Sequence, residues 1–282
     1  MPLNAERITY GDLSCFVAGQ GAPLLLVHSV NAAASASEVR PLFEHFRATR
    51  TVFAVDLPGY GFSDRSDRVY TPRLMTDALH ATVAQMHARC GPRPVDALAV
   101  SLGCEFLARA AVERPADFRR VALVSPTGLN GLTARRGKPG TPRAGPGLHR
   151  VLSARLWAEP LFRALTRPGV VRYFVERTWG SKAIDETMWA DAVATARAPG
   201  AHHAPLYFLG AGLFSADVLS VYEGLTQPVW ASHGVRGDFT DYRGKVHLQG
   251  RANWRFTEYD SGAMPFFEQP RAFCAEFETF LG

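Results

Sequence analysis

Short apolar runs alternate with longer amphipathic stretches along this chain of 282 residues. Four runs are almost continuously apolar, as is typical of strands buried on both faces of a parallel sheet; they are residues 24–27, 51–55, 95–100 and 121–124. Two further strand-like runs follow at 228–231 and 254–259. Between the runs, apolar residues recur at helical spacing, as at Met75, Leu79, Val83 and Met86. This alternation predicts an α/β fold, with a mostly parallel central sheet flanked by helices.

One interval breaks the alternation. About 100 residues separate the fourth run from the fifth, far more than a crossover helix needs. The interval opens with a Pro/Gly-rich stretch at 137–147, which we expect to be a loop, and continues with helical patterns at 148–165, 170–179 and 185–198. We expect the first of these helices to be interrupted near Pro160. The pattern therefore predicts a core of residues 1–127 and 225–282, with a helical cap at 128–224 inserted after the strand at 120–125.

Charge and cysteine content restrict the partners that we expect. The formal net charge is +5, and residues 128–224 hold 12 Lys/Arg against 7 Asp/Glu, so this interval carries the whole excess. The basic residues are interspersed with acids and accompany no recognition motif, so we expect no nucleic-acid partner. No apolar run has the length of a signal peptide or a membrane span, so we expect a cytoplasmic protein without membrane association. The four cysteines lack metal-ligand spacing, and no metal or organic cofactor is indicated.

The segment Ala99-Val100-Ser101-Leu102-Gly103 joins a predicted strand to a predicted helix. A serine between small residues at such a junction is typical of a nucleophile elbow. There a sharp turn lifts the hydroxyl above the sheet and directs the N–H groups of the new helix towards it. The five-residue pattern is common by chance, so its weight comes from its position after a buried strand.

Several further segments place the chain near one family. Residues 24–29 resemble a strand that ends in the His-Gly oxyanion loop, and 56–65 match the Asp-x-x-Gly-x-Gly-x-Ser segment closely. Residues 228–234 resemble the strand before the catalytic acid, and 262–270 resemble the tail that normally holds the catalytic histidine. Over nearly its whole length the chain resembles the α/β-hydrolase family, including its order of nucleophile, inserted cap, acid and tail.

This resemblance implies roles for individual residues. Ser101 would attack a carbonyl carbon or a similar electrophile, while the N–H groups of Val30 and Leu102 would stabilise the oxyanion by roughly 3–4 kcal/mol each. Asp238 would be the acid that orients a histidine. It lies one residue later than the usual spacing, so Asp241 remains an alternative, and either aspartate could instead cap a turn.

The histidine itself is missing, because Ala263 follows Gly262 where the family has Gly-His. Removing the histidine of a serine triad costs on the order of 10⁶ in turnover, so this change outweighs any detail of the pocket. Whether Ala263 is natural or was introduced is not decided by the sequence. Two residues are candidates for a substitute base or a pocket residue, namely His203 in the cap and Ser29 in the oxyanion loop.

Two functions fit these observations. The first is hydrolysis of a small, largely apolar ester, amide or lactone through Ser101 with a degenerate triad. The second is a non-hydrolytic role on the same scaffold, as a lyase, an isomerase or a ligand-binding protein, because a hydroxyl and two N–H donors still bind a carbonyl without covalent attack. A serine hydrolase is favoured because this fold most often hosts hydrolysis. The substrate's identity and the oligomeric state stay open.

Overall fold

Eight strands form one sheet in the computed structural model, which describes residues 3–282. The sheet order is β1-β2-β4-β3-β5-β6-β7-β8. The strands are β1 Glu6–Tyr10, β2 Leu13–Ala18, β3 Ala22–Val27, β4 Arg50–Asp56, β5 Val95–Val100, β6 Phe118–Val124, β7 Val229–Gly234 and β8 Trp254–Tyr259. The pairs β1–β2 and β2–β4 are antiparallel, and the five pairs that follow along the sheet from β4 to β8 are parallel. The predicted α/β class and the mostly parallel sheet are confirmed.

Eleven α-helices accompany the sheet among the described residues. They are α1 Arg40–Phe46, α2 Pro72–Cys90, α3 Gly103–Glu113, α4 Pro146–Leu152, α5 Ala158–Leu165, α6 Pro168–Trp179, α7 Glu186–Ala196, α8 His203–Leu209, α9 Val218–Glu223, α10 Pro265–Glu268 and α11 Pro270–Leu281. The six helices from α4 to α9 lie between β6 and β7, within the interval that the spacing singled out; we call residues 128–224 the insertion. The predicted break near Pro160 is wrong. Pro160 lies in the first turn of α5, where its missing N–H costs nothing, and the chain leaves the helix at 153–157 instead.

Two apolar cores cover the two faces of the sheet. One contains Met75 and Leu79 of α2 and Phe106 of α3, and the other contains Phe43 of α1 and Phe277 of α11. The insertion contributes to both cores: Ala204, Leu213 and Val218 join the first, and Trp179 joins the second. The insertion is therefore packed onto the main body at more than one place.

Helix α3 holds the two ends of the insertion together. The Arg109 guanidinium donates to both carboxylate oxygens of Asp217 at 2.6 and 3.2 Å, and both side chains are buried. One turn earlier, the buried Glu105 carboxylate accepts from the Ser215 N–H at 2.7 Å and from the Thr127 hydroxyl at 2.6 Å. The helix that begins at the predicted elbow thus also fixes the base of the insertion.

Gly103 allows the first turn of α3 to approach the end of β3 closely. A Cβ atom built on Gly103 would lie 2.5 Å from the His28 carbonyl oxygen, which is closer than real Cβ contacts permit. We expect Gly103→Ala to lower the free energy of unfolding by about 1–3 kcal/mol, because backbone must shift to admit the methyl group. Urea denaturation measures the change.

Gly147 in α4 provides the matched control, because a Cβ there would meet no atom within 4 Å. Gly147→Ala should leave stability unchanged or raise it by up to about 1 kcal/mol through helix propensity. Equal effects of the two substitutions would contradict the close approach at Gly103.

Candidate active site at Ser101

Ser101 sits at a sharp turn between β5 and α3. Its backbone φ is +52°, in the left-handed region that a non-glycine residue seldom adopts. The Ser101 N–H donates to the Val124 carbonyl of the neighbouring strand at 2.8 Å, which ties the turn to the sheet. Behind it, the buried Cys104 thiol donates to the Ala99 carbonyl at 3.2 Å. The strand, turn and helix that the sequence predicts around this serine are confirmed, and the side chain is half-buried.

The loop after β3 lies directly against this turn. The His28 ring donates from Nδ1 to the Ser29 carbonyl at 2.5 Å and accepts from the Leu57 N–H at Nε2, at 3.0 Å. Complete burial lowers the pKa of His28 to about 4, so the ring is neutral at physiological pH. His28 therefore has a structural role, bonding to the backbone of the loop and of the turn after β4.

Two backbone donors are free beside the serine. Within residues 3–282, neither the Val30 N–H nor the Leu102 N–H donates to a protein acceptor. Both residues are buried, and buried N–H groups are seldom left without a partner. Such donors are suited to hold the oxygen of a polarised carbonyl group.

A polar network fixes the same loop from below. The Ser29 N–H donates to Glu38 at 2.9 Å, and the Asn31 side-chain amide donates to Glu38 at 2.8 Å and to the Ser29 hydroxyl at 3.0 Å. Burial raises the pKa of the Glu38 carboxyl. Ser29, a candidate pocket residue, is 3% exposed, and its hydroxyl accepts from Asn31 of the same loop.

The tail segment that resembles the family's histidine region contacts main chain of the insertion. The Ala263 N–H donates to the Thr178 carbonyl at 3.0 Å, at the end of α6, and the Ala263 carbonyl accepts from the Ser125 hydroxyl at 2.7 Å. A Cβ atom on Gly262 would lie 2.4 Å from the Trp179 Cα. Ala263 is buried, so the tail segment serves as a seat for the carboxyl end of α6.

Both aspartates considered for the catalytic acid have other partners. Asp238 accepts a bidentate pair from the Arg177 guanidinium at 2.5 and 2.7 Å, and its own N–H donates to the Arg177 carbonyl at 3.0 Å. Asp241 accepts from the Gly131 N–H at 3.0 Å and from the Arg243 guanidinium at 2.8 and 2.9 Å. Asp238 thus joins the loop after β7 to α6. Asp241 closes a turn in the same loop.

The histidines give Ser101 no base. Nδ1 of His203, the candidate substitute base, lies 3.6 Å from the Asp67 carboxylate. His233 is buried, stacks on Tyr242 with ring centroids 3.9 Å apart and bonds the Gly234 carbonyl, as expected of a core histidine. In the part of the chain that the structure describes, no histidine nitrogen lies within hydrogen-bond distance of the Ser101 hydroxyl.

Three features of the site were not predicted from the sequence. They are the docking of Thr178 on the tail, the Glu38 carboxylate under the oxyanion loop, and Ser125, which ends β6 with a φ of +50°. A lone acid in the apolar stretch around 33–39 was a usable signal for Glu38, because a buried carboxylate needs donors. Glu268 accepts from the Gly262 N–H at 2.6 Å and pairs with Arg236, which fixes the tail segment.

The insertion's aromatic side chains do not form one pocket. Trp157 and Phe174 are exposed, while Phe162 packs in a core of the insertion and Trp179 packs against Phe267 under the tail segment. Two surface grooves of about 490 and 440 Å³ lie elsewhere, beside Arg177 and Asp238 and beside the ends of β7 and β8. Residues 3–282 contain neither a cluster of three metal-binding side chains nor a helix long and apolar enough to cross a membrane.

The ion pair between Asp238 and Arg177 can be tested directly. The pair is half-exposed and screened by solvent, so we expect Asp238→Asn and Arg177→Met each to change the midpoint of urea unfolding very little. Ser101-dependent turnover of p-nitrophenyl butyrate should stay within about twofold. Loss of a triad acid lowers turnover by about 10⁴. A fall of that size for Asp238→Asn alone would restore the acid assignment.

Comparisons with known proteins agree with this fold. The sequence profile described as "Alpha/beta hydrolase family" matches residues 24–276. No curated protein matches the chain. A serine hydrolase involved in carbazole degradation is similar in structure, with 16% identity, a TM-score of 0.74, and 95% of this chain and 94% of that chain covered.

Two further solved structures have the same fold. The 2-hydroxy-6-oxo-6-phenylhexa-2,4-dienoate hydrolase from Rhodococcus sp. strain RHA1 has 18% identity and a TM-score of 0.74, with 98% of this chain and 97% of that chain covered. The epoxide hydrolase CorEH has 19% identity and a TM-score of 0.71, with 95% and 94% covered. Because the family profile spans nearly the whole sequence, the chain belongs to the α/β-hydrolase family.

Proposed function

We propose that this member of the α/β-hydrolase family binds a small, largely apolar carbonyl compound at Ser101 and does not hydrolyse it at the rate of a triad enzyme. The observation that carries the proposal is the hydrogen bond from the Ala263 N–H to the Thr178 carbonyl. It puts main chain from the insertion, which then acts as a fixed cap, beside the position where the general base of the reaction would stand. The ligand would be an ester, an amide or a lactone, and no cofactor takes part.

Binding would use the groups that the fold retains. The ligand's carbonyl oxygen would accept from the Val30 and Leu102 N–H groups, and the Ser101 hydroxyl would lie next to its carbon atom. Well-placed donors of this kind stabilise a developing oxyanion by roughly 3–4 kcal/mol each. With no imidazole to remove the hydroxyl proton, covalent attack stays slow.

Hydrolysis through Ser101 is the second candidate, and the turn itself favours it. A serine held at a φ of +52° beside two free N–H donors has the backbone of a working nucleophile. The Ser101 oxygen would add to the carbonyl carbon, its proton would pass to water, and the leaving group would depart protonated by water. A second water molecule would then add to the acyl-enzyme and release the acid, and the Ser101 oxygen would regain a proton from water. A residual enhancement of about 10³ to 10⁴ over water is what such a site supplies without its histidine.

Phenylboronic acid tests the binding proposal. Its boron accepts the Ser101 oxygen, the hydroxyl proton passes to solvent, and the resulting boronate oxygen would face the Val30 and Leu102 N–H groups. We expect wild-type protein to bind the probe and Ser101→Ala to bind it at least about tenfold more weakly, because the covalent bond is lost. Calorimetry measures both affinities, and equal affinities would sink the assignment of Ser101.

Ala263→His separates the two candidates. Because Asp238 is paired with Arg177, the new ring should lack an orienting carboxylate. Turnover of p-nitrophenyl butyrate should rise no more than about twofold, against the 10²- to 10⁴-fold that a positioned base provides. A gain of about 10² or more, lost again in the double variant with Ser101→Ala, would establish a hydrolase site that needs only its histidine.

A further inference from the structure

A fully buried carboxylate supports the loop that carries the Val30 N–H. Glu38 is 5% exposed and accepts from the Ser29 N–H through one oxygen and from the Asn31 side chain through the other. Neither donor is charged, so the cost of burying the carboxylate is met by neutral hydrogen bonds alone. The proposed mode of carbonyl binding gives Glu38 no direct contact with the ligand.

The hydrogen bonds of this loop do not use the Val30 N–H. The Ser29 carbonyl accepts from the His28 ring, the Ser29 N–H donates to Glu38, and the Asn31 side-chain oxygen accepts from the Ala33 N–H at 2.7 Å. The second Asn31 amide hydrogen donates to the Ser29 hydroxyl at 3.0 Å. Residues on both sides of Val30 are thus held by these hydrogen bonds, while the Val30 N–H donates to no protein acceptor within residues 3–282.

We propose that Glu38 is a positioning residue, whose ionised carboxylate holds the Val30 N–H towards Ser101 and makes ligand binding there proton-linked. The proposal rests on the function proposed above, because it assigns the Val30 N–H to the ligand. When Glu38 takes up a proton, the protonated oxygen becomes a donor facing the N–H group from which it accepted. The loop then loses one of its two anchors, and affinity falls.

Other ionisable groups surround Glu38 and must be separated from it. His28 and Asp56 bond to the same loop and to the following turn, and Arg40 pairs with Asp185 and Asp191 at 2.7 and 3.0 Å. Tyr60 and Arg65 complete the set of nearby groups. Burial raises the pKa of Asp56 to about 6, so a pH effect alone does not identify Glu38.

The Glu38→Gln variant makes the identification. We expect it to bind phenylboronic acid about tenfold or more weakly than wild type near pH 7.5, because its amide group turns an N–H towards a donor. The ratio of the two affinities should approach one as the pH falls, since wild-type Glu38 then takes up a proton. The probe's own ionisation cancels in this ratio. Glu44→Gln, at an exposed position of α1, is the matched control and should behave as wild type.

A second measurement needs neither ligand nor variant. In wild-type protein, the ¹⁵N shift of the Val30 amide should titrate together with the ¹³C shift of the Glu38 carboxyl, and the amide should not titrate in Glu38→Gln. An affinity ratio that stays constant with pH, or a Val30 titration that persists in Glu38→Gln, would overturn the proposal. If wild-type protein binds no boronate while the two shifts still titrate together, the carbonyl-binding function fails and the loop coupling stands.

Discussion

The docking of α6 on two loops determines what the rest of this site can do. The last carbonyl groups of an α-helix have no partners within the helix, and here Arg177 and Thr178 receive theirs from the N–H groups of Asp238 and Ala263. The contact is close because Gly262 has no side chain: a Cβ atom there would meet the Trp179 Cα at 2.4 Å. The tail segment at Gly262 and Ala263 therefore serves as the contact for the carboxyl end of α6.

The parts of the site that persist belong to the backbone. The turn at Ser101 and the free donors of Val30 and Leu102 follow from how β3, β5 and α3 meet, so they endure as long as the sheet does. The missing part is a side chain, and no element of the fold depends on it. The site thus keeps its serine turn and two free N–H groups, while no histidine nitrogen in the described part of the chain bonds the Ser101 hydroxyl.

The sequence predicts what is local and fails where distant segments meet. Buried parallel strands are continuous apolar runs, so the strands from β3 to β7 and the turn at Ser101 could be read directly. Strand β1 was not predicted, because its side chains are largely polar and exposed at the sheet's edge. The loss of the histidine at residue 263 is visible in the sequence. The contact of Thr178 with this residue is not visible in the sequence, because it depends on how the insertion packs.

The insertion is fixed to the rest of the molecule both at its ends and in its middle. Its two ends meet on α3 through Asp217 and Glu105, and its middle is fixed to the tail through Thr178. A swing of the whole insertion would break all of these contacts together. Helix α4 has no buried residue, so it is the segment whose displacement sacrifices the least packing.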